Sequence, residues 1–308
     1  MNNVDSRRWL GFELNILRRL KFSSIAIPFA GQPDLGWYLK FWGKEIYSND
    51  LCQSASSIAR AFVENGTENL SPEDIDLLLD QIESPTLPLL NPALSRYWSE
   101  ADAVWFDNLR QNIDRLGSPC RQALAISHGL QVGDYARSFN PRTERLKRPL
   151  SEVFRHFWQR QRRIVDNRRS NQSFNLEATD FIRSRSADLM FVRFPAPQGL
   201  AGWQRRNDEW KEVWVRRDAG EWERLVSGQH GKPGDTFRSK EGYLQMMTGF
   251  LENSRHIPLW AISHTEDGFL STGELAERVA KVRKVEAIYH KDFSEVVGGR
   301  NTYILIAR

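Results

Sequence analysis

The sequence predicts an α/β fold: a mostly parallel sheet with helices on both faces, interrupted by a helical insertion. Three observations predict it. Strand, turn, helix, strand and helix patterns succeed one another near the start; the middle is helical with few β-branched runs; and strand and helix patterns return towards the end.

Element by element, Leu10, Leu14, Leu17 and Leu20 recur at helical spacing and predict an amphipathic helix reaching Lys21. SSIAIPFAG reads as a strand, with Ile25, Ile27 and Phe29 alternating, that stops in a turn at Gly31. A helix follows over 35–42, KEIYSND reads as a strand, and QSASSIARAFVEN is helical with Ile58, Phe62 and Val63 on one face. SPEDIDLLLDQI opens a helix with Ser71 as N-cap and Pro72 at the first helical position. From 99 to about 169 the pattern stays helical, with one stripe of Trp105, Leu109, Ile113 and Leu116 and another of Leu150, Val153, Phe157 and Trp158. ADLMFVRF is a strand, GYLQMMTGFLENS a helix and IPLWAIS a strand. STGELAERVAKV is a helix with a Ser271/Glu274 capping box, and KVEAIYH and NTYILIAR close as strands. The expected organisation is 1–66 and 173–308 around an insertion at 67–172, with an irregular tryptophan-rich stretch at 197–238.

Composition narrows the function classes. At 40% apolar and 27% charged residues, the 308-residue chain fits neither a disordered polymer nor a membrane protein. No apolar run reaches the ~18 residues of a membrane span, and the start lacks an apolar h-region, so a soluble cytoplasmic protein is expected. Cys52 and Cys120 are too few for a disulfide framework or a cysteine zinc site, and the six histidines include no HExxH pair, so no metal is expected.

Charge is uneven. The whole chain carries +4, yet ten basic residues lie between 142 and 169: Arg142, Arg145, Lys147, Arg148, Arg155, Arg160, Arg162, Arg163, Arg168 and Arg169. Only Glu144, Glu152 and Asp166 oppose them, a local +7 that leaves −3 elsewhere. Such a patch is the footprint of phosphate binding; the alternative is a solvated helix face.

Five segments in order resemble one family, the adenine-specific DNA methyltransferases of the Dam-type group, which use S-adenosylmethionine. RRWLGFELNIL is similar to the family's opening segment, and IPFAGQPDLGWYLK to its cofactor loop. EIYSNDLCQSASSIARAFVEN resembles the following strand with its Asn-Asp pair. LWAISHTEDGFLSTGELAERVAKVRKVEAIYHKDF and NTYILIA resemble the C-terminal pattern. The resemblance implies a Rossmann-like methyltransferase sheet. It also implies that Phe29, Gly31 and Asp50 stand at cofactor positions, the glycine allowing close backbone approach and the acid receiving ribose hydroxyls. A glycine and an aspartate after strands are equally ordinary structural features.

The chemistry-bearing positions depart from the family. The cofactor turn has Pro33 where a second glycine belongs, which fixes φ and removes an N–H. Phe12 and Glu13 stand where the family carries a lysine, so a cation that would face the cofactor carboxylate is replaced by an acid. The catalytic D/N-P-P-Y/F motif aligns with Arg193, Phe194, Pro195 and Ala196. Arginine has donors and no acceptor, so it cannot receive the amino hydrogens of adenine, and Ala196 offers no ring to stack on a flipped base. Asp188 lies five residues upstream, about 16 Å away along a strand. Asn91-Pro92-Ala93-Leu94 and Asn140-Pro141-Arg142 lack the second proline and the aromatic.

These departures predict a catalytically inactive methyltransferase-like protein with no catalytic residue of its own. It would recognise double-stranded DNA through the basic insertion, beside protein partners, with no membrane and no cofactor unless the S-adenosylmethionine pocket is retained. An active adenine methyltransferase and a ligand-only binder are the alternatives. Arg193 is expected either to bind a phosphate or to plug the former site by pairing with an acid. Phe157 and Trp158 read as core or as a base-stacking platform. The tryptophans Trp203, Trp210, Trp214 and Trp222 read as a partner surface or as the core of a β-hairpin.

Overall fold

A computed structural model describes residues 3–80, 89–140, 142–199, 208–266, 269–293 and 301–308. Trp203 of the tryptophan-rich stretch lies outside them. Seven strands form one mixed sheet in the order β3-β2-β1-β4-β5-β7-β6. They are β1 (Ser24–Ile27), β2 (Glu45–Asn49), β3 (Gln172–Phe174), β4 (Leu189–Arg193), β5 (Leu259–Thr265), β6 (Val285–Asp292) and β7 (Asn301–Ala307). The first five pair in parallel, and β7 lies antiparallel between β5 and β6.

Both sheet faces are covered, which is why the central strands read as nearly unbroken apolar runs. Alternate residues face opposite sides. Ile25, Ile27, Leu189, Phe191, Leu259 and Ala261 join the core under α1 (Asn3–Leu17) and α2 (Asp34–Phe41). Ala26, Met190, Val192, Trp260 and Ile262 join the other core, beneath helices at Ala178–Arg183 (α8), Lys240–Asn253 (α11) and Thr272–Ala280 (α12). The edge strand β6 keeps Glu286, His290 and Lys291 exposed, a charged border that discourages further pairing. Both predicted N-caps form: Ser71 and Ser271 each close a capping box, with Asp74 and Glu274. The strand β3 and helix α8 carry no legible sequence pattern, being three and six residues long.

The insertion has its own core. Helices α3 (Gln53–Ala59), α4 (Pro72–Leu78), α5 (Glu100–Asp114), α6 (Pro119–Ala136) and α7 (Leu150–Gln159) precede β3 in sequence. Two expectations are corrected here. The tryptophan-rich stretch is neither hairpin nor partner surface where it is described, but two helices, α9 (Trp210–Arg216) and α10 (Glu221–Ser227). Trp210 and Trp214 are fully buried in the insertion core, their rings seated on α6 at Gly133 and Gly129, where a Cβ would lie 2.0 and 2.3 Å from them. Trp222 is buried against Leu51, Cys52 and Ala55. The helical pattern also stops at Gln159, not near 169. Beyond it only Ile164 and Val165 are aliphatic before Asn171, too few for a stripe, and the chain runs extended along α2. There Trp37 Nε1 donates to the Arg163 carbonyl at 2.9 Å, and Asn167 Nδ2 to the Lys44 carbonyl at 2.7 Å. Phe157 and Trp158 pack against the insertion core, the latter donating from Nε1 to the Leu70 carbonyl, so neither serves as a stacking platform. Among the described residues no helix is long and apolar enough to cross a membrane.

Candidate functional site

In open α/β sheets ligands bind beyond the carboxyl ends of the strands, where the strand order reverses. Here the chain proceeds from β1 to β2 and β3 on one side and to β4 and β5 on the other, so the reversal falls between β1 and β4. That point brings together the turn after β1, Glu13 of α1 and Arg193 at the end of β4.

The turn after β1 uses Gly31 at φ +55, in the left-handed region that glycine enters without penalty. Its N–H donates to Asp50 Oδ2 at 2.8 Å, and the Cys52 N–H donates to Asp50 Oδ1 at 2.9 Å. Both carboxylate oxygens are therefore bonded to the chain itself. Burial pushes the Asp50 carboxyl up to about 6, against the lowering by these two N–H groups. Pro33 is the N-cap of α2 at φ −76, an angle proline holds without strain.

Arg193 ends β4 and meets Glu13 of α1. Its Nε donates to Glu13 Oε1 at 2.7 Å and its Nη2 to Oε2, a two-pronged ion pair. Ser263, opposite Arg193 on β5, donates from Oγ to Glu13 Oε1 at 2.8 Å. Glu13 is fully buried, while the Arg193 side chain is 25% exposed. Burial disfavours the Arg193 charge, and the Glu13 carboxylate more than restores it, holding the guanidinium above its ordinary value. Of the two expectations for Arg193, pairing with an acid is the one observed. The acid in α1 and the cation at the end of β4 answer one another.

Rings and carbonyl contacts surround this pair. Phe29 and Phe194 lie 6.0 Å apart between centroids, and both pack on Phe250, at 5.3 and 5.6 Å. Tyr243 donates its hydroxyl to the Pro195 carbonyl at 2.8 Å, and the Ala196 carbonyl accepts the Gly199 N–H at 2.8 Å. Beside β2, buried Glu212 of α9 accepts the N–H groups of Gln53 and Ser54 at 2.9 and 2.8 Å, placing a carboxylate at the start of α3. Sequence reading missed Glu212: it is one acid in WKEVWVRR, and only the fold brings it to residues 53 and 54. Among the described residues no three His, Cys, Asp or Glu side chains gather as a metal site requires.

The ten basic residues divide by surroundings. Lys147 pairs with Asp102 at 2.7 Å and with Glu144, Arg155 with Asp76 at 3.2 Å, and Arg162 with Asp34 at 2.9 Å. Arg162 also lies over the rings of Trp37 and Phe62. Lys147 and Arg162 are corrected as phosphate candidates, because part-buried acids already answer their charge, whereas the Arg155–Asp76 pair lies at the surface. Arg142, Arg145, Arg148, Arg160, Arg163, Arg168 and Arg169 are exposed, and among the described residues none of them pairs with a carboxylate. They sit on two loops at opposite ends of α7, about 15 Å apart along its ten residues, rather than on one helix face. Comparison with known proteins finds no matching family model and no matching curated protein.

Proposed function

We propose that this chain is a methyltransferase-like protein without methyltransferase activity, and that it acts as a DNA-binding subunit through the loops flanking α7. The observation that carries this reading is where the cations go: Arg193 is consumed by Glu13 inside the fold, whereas seven arginines of the insertion face solvent. The reversal of strand order between β1 and β4 supports a Rossmann-like sheet of the kind the resemblance implies.

The residues present do not fit S-adenosylmethionine. Its methionine carboxylate would meet Glu13, whose counter-charge is already bound, and its ribose would compete with two backbone N–H groups for Asp50. Glu212 and Trp222 cover the neighbouring end of β2. Transfer to adenine would further need an acceptor for the amino group where Arg193 offers only donors. Exposed arginines on loops suit phosphate contacts that position a protein on a duplex without reading bases.

The test is one preparation assayed three ways: methyl transfer from labelled cofactor to duplex DNA, calorimetric titration with S-adenosylmethionine, and duplex binding. Binding to DNA without methyl transfer and without cofactor heat is the expected result. Methyl incorporation above a protein-free control, or a cofactor Kd in the low micromolar range, overturns the reading of a closed site; absence of duplex binding overturns the DNA role.

A further inference from the structure

The outer face of α2 carries three adjoining aromatic rings. Trp37 lies 5.0 Å from Tyr38 and 4.9 Å from Phe41 between centroids, edge to face in both cases. Burial of such rings is the ordinary outcome in a chain of this size, yet Tyr38 is 41% and Phe41 49% exposed. The sheet-facing side of the same helix is conventional, with Leu35, Leu39 and Lys40 buried. Tyr38 and Phe41 therefore face solvent, while Trp37 beside them is part-buried, packed against the insertion core with Arg162 over its ring.

The border of these rings is built by the loop after α7, where Arg162 is already paired with Asp34 and the exposed cations are Arg163 and Arg169. Trp37 Nε1 holds the Arg163 carbonyl, Arg162 lies over the Trp37 ring with its guanidinium carbon 5.4 Å from the centroid, and Arg169 Nε donates to the Gly43 carbonyl at 3.2 Å. The Arg163 main chain thus lies at Trp37 and the Arg169 side chain at Gly43, just past Phe41, and both residues are exposed. Exposed rings edged by arginines match the surface that tracks an unpaired strand: cations follow the phosphates while the rings stack on bases, whatever their sequence. Base pairs in a duplex are already stacked and cannot use such rings. Tyr38 and Phe41 are three residues apart on the helix, a rise of about 4.5 Å, so the two exposed rings lie on one side of it.

We propose that the Trp37–Tyr38–Phe41 ridge and its arginine border bind single-stranded DNA. The proposal rests on the DNA-binding reading and adds to it the strand form and the residues that choose it. The occupant is argued from charge: a protein partner would have to bring acidic groups to Arg163 and Arg169 as well as apolar groups to the rings, whereas a single strand supplies both in every nucleotide.

The experiment compares a labelled 20-mer of dT with a mixed-sequence 20-base-pair duplex by fluorescence anisotropy, on the full chain. The Tyr38→Ala/Phe41→Ala variant removes exposed rings only and is expected to fold. It should weaken single-strand binding roughly 10- to 100-fold, with the salt dependence unchanged because no phosphate contact is lost, and change duplex affinity by less than about threefold. Tyr38→Phe/Phe41→Tyr should bind like the parent, because either ring stacks. Single-strand affinity unchanged in the alanine variant, or lost equally in the ring-preserving one, overturns the proposal. If duplex binding persists in that case, the DNA-binding reading stands; if the parent binds neither form, both fall. Self-association of the parent that the alanine variant abolishes, with single-strand affinity intact, makes the ridge a protein contact and also overturns it.

Discussion

Replacing Arg193 by methionine leaves the Glu13 carboxylate buried, with Ser263 Oγ as its remaining side-chain donor among the described contacts. Removing one partner of a buried ion pair costs about 3 to 5 kcal/mol. The lower figure applies here, since the Arg193 side chain is 25% exposed and water reaches that end of the pair. An unfolding entropy of about 2.1 cal/mol/K per residue gives roughly 0.65 kcal/mol/K for a chain of 308 residues, so about 3 kcal/mol lowers Tm by about 5 °C. Glu13→Leu should cost less, because the stranded guanidinium can turn to water, whereas the stranded carboxylate cannot. The Glu13→Leu/Arg193→Met double variant should melt within about 2 °C of the parent, since apolar replacement of a whole buried pair is commonly neutral. Thermal melts of the four proteins close the cycle. If the two single losses simply add in the double variant, the residues are not coupled, and the reading that Glu13 and Arg193 hold one another is refuted.

Three further outcomes follow from the same structure. Duplex affinity should fall with log salt at a slope near −4.5 if about five of the seven exposed arginines reach phosphates. Arg145→Ala/Arg160→Ala/Arg163→Ala should flatten that slope by up to about 2.7, and an unchanged slope in the folded variant would exclude those loops. Gly133→Ala should destabilise by more than about 2 kcal/mol, because the added Cβ lies 2.0 Å from the fully buried Trp210 ring and overpacking outweighs the ~1 kcal/mol gain in helix propensity; a raised Tm would contradict this. Burial lowers His128 to about 4 in the folded chain, against its bond to Gln161, so the unfolded chain takes up the proton first and stability falls as pH drops from about 6.5 towards 4. The raised Asp50 carboxyl acts in the opposite sense, adding stability at low pH that is lost as pH rises from about 4 to 6. The His128 part is therefore read as the difference in denaturant stability between parent and His128→Gln at pH 7 and 4.5, which should be of order 3 kcal/mol; parallel pH profiles would refute it.

What the sequence by itself determined was local. Ile25 and Ile27 against Ala26, and Leu189 and Phe191 against Met190 and Val192, alternate in a way only a strand buried on both faces requires. Ser71 and Ser271 mark helix starts because their capping partners lie three residues away. That Arg193 offers donors and no acceptor is likewise visible from side-chain chemistry alone. Partnership was not visible. Glu13 and Arg193 are 180 positions apart, and the sequence leaves Arg193 with two destinations until α1 crosses the end of β4. The tryptophans at 210 and 214 have the spacing of any helix stripe, and nothing local couples them to Gly133 and Gly129, whose missing side chains make the notches that bury them. The ten basic residues look alike as a run, yet among the described residues three meet acids from other elements and seven do not. Periodicity and capping depend on neighbours within a few residues, which the sequence lists in order; the state of a charge or a ring depends on what the fold brings within a few ångströms, and only the tertiary structure decides that.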